Sequence, residues 1–99
     1  AHMINKYFNK TARHLQRYCK GVANHHRIDM LFLIASRPGI TLDEITKVLD
    51  LNRKTASEHL RRLAISGLVQ KRYIGRSVHH GLSPYGKRFQ VFLKTFSHS

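Results

Sequence analysis

The chain is short of thiols, of acids and of long apolar runs. Cys19 is its only cysteine, so no internal disulfide can staple the fold, and a reducing cytoplasm is the expected setting. The longest apolar run, Met30 to Ala35, has the length of a core helix. It falls well below the ~18 to 20 residues that span a bilayer, so no membrane partner is expected. The polar, basic start does not read as a secretory leader, and Ala1-His2 ahead of Met3 reads as a cloning remnant. The acids are few and scattered: Asp29, Asp43, Glu44, Asp50 and Glu58. Neither a Gly-rich phosphate loop nor a Ser-His-Asp pattern is visible, so catalysis and a cofactor are not expected. No repeat, linker or low-complexity segment interrupts the 99 residues, and residues 3–99 read as one domain.

What is abundant is positive charge. Lys and Arg number 18 against 5 acids, a formal net charge of +13. From Arg53 onward Glu58 is the lone acid. Such a field attracts polyanions, and phosphate contact releases their counterions. A solvated basic surface, a membrane surface or an acidic protein would suit the charge as well, so the pattern along the chain has to decide.

Phe8, Ala12, Leu15, Cys19 and Val22 recur at steps of four and three, a helical seam over Ile4 to about Val22. Asn24 can cap a second helix to Ser36, with Ile28, Leu31, Phe32 and Ala35 inward, before Arg37-Pro38-Gly39 breaks it. Thr41-Leu42-Asp43-Glu44 is a capping box opening a short helix to Leu49, with Leu42, Ile45, Val48 and Leu49 inward. After a tight turn, Asn52 caps a helix from Arg53 to about Ser66, with Ala56, Leu60, Leu63 and Ala64 inward. Gly67 stands where a left-handed stop belongs. The period then changes to two strands, 68–73 and 78–82, around an Ile74-Gly75-Arg76-Ser77 turn. Pro84 suits the first position of a last helix. The fold class is therefore mainly α with a small β-hairpin, in the order of a winged helix-turn-helix.

In that plan the 53–66 helix is apolar behind and polar in front. Its front carries Arg53, Lys54, Thr55, Ser57, Glu58, Arg61 and Arg62, preceded by Asn52. The amino-terminal part of such a helix faces base edges, where Arg53 and Lys54 suit guanine and Thr55 and Ser57 permit close approach. Arg61 and Arg62 lie further along, better placed for backbone phosphates. In the hairpin, Lys71, Arg72, Arg76 and Ser77 surround a tip at which Gly75 permits positive φ. A cation there suits an adjacent minor groove.

The stretch from Leu51 to Val69 resembles the recognition helix of the arsenic-repressor (ArsR) family, with matches at Thr55, Ser57, His59, Leu60, Leu63, Gly67, Leu68 and Val69. The segment Arg72 to Val78 resembles that family's basic wing. The resemblance spans roughly residues 27–82 and implies a dimeric repressor that binds palindromic double-stranded DNA. The likeness stops at the family's metal sensors. Residues 42–46 carry no thiol, and the last helix has no ligand set, so metal sensing does not carry over.

Histidines are plentiful, but the adjacent pairs His25-His26 and His79-His80 are expected to point apart, and no metal site is assigned. His79 and His80 are expected on the wing strand near DNA. Cys19 next to Lys20 reads as a half-buried seam thiol rather than a redox switch. Phe8, Leu15 and Cys19 on the first helix, with Tyr85, Phe89, Phe92 and Phe96 on the last, exceed what one small core needs. They are the expected homodimer interface, which would present two recognition helices about one DNA turn, ~34 Å, apart. Two other classes remain open on sequence alone: a non-specific or architectural nucleic-acid binder, and a protein-interaction module on a winged-helix scaffold.

Overall fold

A computed structural model describes residues 11–97. Within them the elements follow as α1 (Ala12–Val22), α2 (His25–Ser36), α3 (Leu42–Leu49), α4 (Arg53–Ile65), β1 (Val69–Ile74), β2 (Ser77–Leu82) and α5 (Pro84–Ser97). Phe8 lies outside the described residues.

Side chains that compete with the backbone set the helix starts. Thr11 is extended and accepts from the His14 amide, so α1 begins at Ala12 and the helix expected from Ile4 does not run through Thr11. Asn24 Oδ1 accepts from the amides of His26 and Arg27, and Asn52 Oδ1 from those of Lys54 and Thr55. Thr41 and Glu44 close the reciprocal box at the head of α3. Gly67, at φ 86°, turns the chain out of α4.

α2 is the central helix, packed against α1, α3, α4, α5 and β2. Met30, Leu31 and Ile34 are fully buried on it, while Ile28, Phe32 and Ala35 are only half-buried. The expected one-sided stripe is therefore displaced, because a helix surrounded on several sides has no single inward face. Ile45 of α3, Ala56, Leu60 and Leu63 of α4, and Leu68 beyond them join the core, which Val22, Ile40, Val69 and Leu82 complete. Val48 of α3, expected inward, is 50% exposed. An eight-residue helix seated through Ile45, with Leu42 and Leu49 partly buried against the core, leaves Val48 on the surface.

β1 and β2 form an antiparallel hairpin with Val69 opposite Leu82 and Ile74 opposite Ser77, turning through Gly75 at φ 59°. Its base is tied to the loop before α3. The Ile40 carbonyl accepts from the His80 amide at 2.9 Å, and the His80 carbonyl accepts from the Gly39 amide at 2.8 Å.

α5 is fastened to the end of α4. Ser83 Oγ donates to the Gly67 carbonyl and accepts from the Gly86 amide, and the Ser83 amide donates to the Leu68 carbonyl. A Cβ at Gly86 would lie 2.0 Å from the Leu68 carbonyl oxygen, so only glycine allows this approach. At the other side, a Cβ at Gly21 of α1 would lie 2.3 Å from the Ser66 side chain.

Candidate nucleic-acid interface

The exposed face of α4 and the wing converge on one groove. It has a volume of about 360 Å³ and is lined by Arg53, Ser57, Lys71, Arg76 and Ser77, with Asp43 and His80 at its edges. Five residues read from two separate sequence segments thus meet in one place. The helix supplies Arg53 and Ser57 because they sit one turn apart. The hairpin supplies Lys71 and Ser77 from its two strands and Arg76 from its tip.

Beside the groove, two histidines tie the base of the wing to the scaffold. His80 is 4% exposed, and its Nδ1 lies 3.0 Å from the Ile40 carbonyl oxygen. A carbonyl only accepts, so His80 donates. Burial holds the imidazole below its ordinary pKa, with Lys71 and His79 pushing the same way and the Ile40 hydrogen bond opposing. Its expected place beside DNA is therefore corrected: His80 is a buried tie between wing and scaffold. His79 Nδ1 donates to the Gly39 carbonyl at 2.7 Å and braces the same junction.

Other expected residues stand apart from this groove. Asn52 is exposed, but its side-chain oxygen is committed to the helix cap. Lys54 and Thr55 are exposed outside the groove lining. Arg72 lines a separate cleft with Pro38 and Gly39, because alternation along β1 sends it to the other side of the hairpin. Arg61 and Arg62 face a third cleft, shared with α1.

Two ion-pair arrangements tune the charge of α4. Arg53 pairs with Asp43 across the α3–α4 turn. The sequence marks Asp43 only as part of a capping segment, and no local pattern joins it to Arg53 ten residues on. Glu58 accepts from Arg61 Nη2 at 2.7 Å and from Arg62 Nε at 3.2 Å. The Arg61 hydrogen bond, aided by both positive charges, holds the Glu58 carboxyl down to about 2. Glu58, expected on the DNA-facing front, is thus the clamp for the two arginines beside it.

The histidines at the head of α2 do not diverge as expected. The rings of His25 and His26 lie 3.9 Å apart, and ligand atoms of His25, His26 and Asp29 all fall within 4.8 Å of one another. The i,i+4 spacing of His25 and Asp29 brings them to one face, with His26 turned toward them. These three could hold a small divalent cation, although Arg27 and the positive end of α2 oppose one. His59 of α4 packs near His26, with its buried Nδ1 unpaired and its pKa lowered, chiefly by burial.

The supposed interface residues are largely on the surface. Leu15 is 39% exposed and Cys19 is exposed. Tyr85, Phe92 and Phe96 are exposed on α5, while Phe89 packs against the core. Tyr18 stacks on Tyr85 at 5.4 Å, joining α1 to α5.

Residues 24–71, from the head of α2 into the wing, match the family model described as bacterial regulatory protein, arsR family. That segment carries the helix-turn-helix of the ArsR family, on a winged helix-turn-helix fold. Family and fold are those of transcriptional regulators. The winged helix-turn-helix domain Mb0332 of Mycobacterium bovis superposes with a TM-score of 0.80 at 24% identity, over 88% of this chain and 81% of that one. HlyU of Vibrio cholerae gives a TM-score of 0.80 at 23% identity, over 97% and 100%. A predicted DNA-binding transcriptional regulator of E. coli gives 0.76 at 20% identity, over 86% and 90%. These likenesses establish the shared fold. No curated protein sequence gives a significant match. Among the described residues, no helix is long and apolar enough to cross a membrane.

Proposed function

We propose that this chain is a sequence-specific double-stranded-DNA-binding transcriptional repressor that acts in the cytoplasm as a homodimer, by binding and without catalysis. The observation that carries this reading is the groove in which Arg53, Ser57, Lys71, Arg76 and Ser77 meet. A major groove admits a helix whose front is polar and short-chained near its amino end. With α4 seated there, Arg53, Lys54, Thr55 and Ser57 face base edges. Arg61 and Arg62 flank the phosphates, and Arg76 on the wing reaches the neighbouring minor groove. Residues 3–99 act as one DNA-binding domain whose terminal helices dimerise. The exposed aromatics of α5 and the exposed Leu15 and Cys19 of α1 support a two-fold contact, and Mb0332, of the same fold, is described as homodimeric.

Selection of bound sequences from random duplexes tests this directly. An enriched palindrome with half-sites about one helical turn apart is the expected result. The net charge of +13 gives a non-specific architectural role its own support. Tight binding with no enriched sequence would establish that role instead. No binding to any duplex at low salt would leave a protein-interaction module.

A further inference from the structure

The cleft between α1 and the carboxyl half of α4 is chemically different from the groove at the wing. Its volume is about 670 Å³, and its charged lining is Arg13, Arg17, Lys20, Arg27, Arg61 and Arg62, with no acid among the lining residues. On α1 the cations recur at 13, 17 and 20, a helical face of their own set apart from the apolar Leu15 and Cys19. Arg27 enters from α2, and its Nε is buried without a hydrogen-bond partner. Glu58 clamps Arg61 and Arg62 from outside the cleft lining, whereas Arg13, Arg17, Lys20 and Arg27 have no carboxylate partner among the described residues.

Folding holds these like charges together at an electrostatic cost. The contact of Gly21 with Ser66 fixes α1 against α4 at one end of the cleft, so the helices cannot part there to dilute the repulsion. Five of the six cations are arginines, whose planar forks match phosphate oxygens two at a time. The exposed Ile65 adds an apolar wall, and the volume lies within the range of small-molecule sites.

We infer that this cleft binds a small phosphorylated molecule of the nucleoside di- or triphosphate class, as a ligand site separate from the wing groove. Four cations without carboxylate partners suit a ligand carrying three to four negative charges. The organic part lies against Ile65 and the arginine stems. Arg61 and Arg62 belong to both the cleft and α4, so the bound ligand touches the helix that carries the groove.

The test uses the full chain and ATP as the probe, without metal. Titration calorimetry at fixed ionic strength is run on the wild type and on the double variant Arg13→Ala, Arg17→Ala. Both arginines are exposed on α1, so an amide NMR spectrum serves to verify the fold. The expected result is saturable binding, weakened about tenfold or more in the variant through loss of charge-assisted hydrogen bonds. Amide shifts should centre on Gly21, Arg27 and Ser66. Equal ATP affinity in wild type and variant would overturn the proposal, as would shifts centred on Arg53 and Gly75. Duplex binding separates a free phosphate ligand from the DNA backbone as the source of phosphate. The variant should keep the wild-type DNA affinity and salt slope. A lower affinity with a slope reduced by about 2, one for each lost phosphate contact, would make the cleft a backbone contact and end the small-molecule reading.

Discussion

The two ends of α4 carry similar cations in unlike settings. At the amino end Arg53 is held by Asp43 of the preceding helix, and the groove there is completed by the wing. At the carboxyl end Arg61 and Arg62 are held by Glu58 of the same helix, and the cleft there is completed by α1. One end is thus assembled from tertiary neighbours and depends on their register. At the other, the ion pairing is preset by the spacing along one helix. An interface that must discriminate among bases needs the first kind of control, while attraction to phosphate is served by the second.

The largest perturbation removes the support common to both ends. Leu63 is fully buried behind α4. Leu63→Ala is expected to cost about 2 to 5 kcal/mol, read as a drop in the denaturant midpoint, and to weaken both surfaces together. Next in size is a split between the ends. Arg53→Ala and Arg76→Ala should each cost about 1 to 3 kcal/mol on a selected duplex and relax its sequence preference. Arg62→Ala should instead weaken all duplexes alike and lower the salt slope by about 1. Equal behaviour of Arg53→Ala and Arg62→Ala in competition binding would erase the distinction between the ends.

A smaller effect is confined to the amino end. Asn52→Ala removes the cap shared by the Lys54 and Thr55 amides and should cost about 1 kcal/mol in thermal unfolding. pH also acts mainly on that end, through His80. Its folded-state pKa is lowered, so below about pH 6.5, the ordinary histidine value, the unfolded chain binds a proton before the folded one does. Stability is therefore complete above that pH and declines as pH falls toward the lowered value. His59 adds to the same slope from the middle of α4. His80→Gln should flatten part of the acid-side decline in melting temperature, leaving the His59 share. An undiminished decline would show that His80 is not the titrating tie. The smallest effect is expected from Glu58→Gln, which frees Arg61 and Arg62. It should hardly move the melting temperature, since the clamp is exposed, yet raise non-specific duplex affinity.

Local chemistry was legible in the sequence wherever a side chain acts on its own backbone. The Asn24 and Asn52 caps, the Thr41–Glu44 box and the turns at Gly67 and Gly75 are all present in the fold. Periodicity worked for α4, which has one buried face, and misplaced the stripe on α2, which is enclosed on several sides. It also failed at Val48, because burial at the end of a short helix depends on neighbours rather than on spacing. Contacts across long separations were not legible. Nothing local marks His80 as bonded to Ile40 or Arg53 as paired with Asp43. The cations at 13, 17 and 20 show a helical period, but only the approach of α4 makes them walls of a cleft.

The junction at Ser83 has a mechanical consequence. One hydroxyl joins the Gly67 carbonyl to the Gly86 amide, and the missing side chain at Gly86 lets α5 press on the Leu68 backbone. The end of α4 and the start of α5 therefore meet in a joint with almost no slack. A rotation of α5 is transmitted to α4 as torque instead of being absorbed in a loop. If two copies meet through α5, the angle at which they seat fixes the span between their α4 helices. In such a pair, spacing along DNA is geared to the subunit contact, and a small slip at the aromatic face becomes a change of reach at the bases.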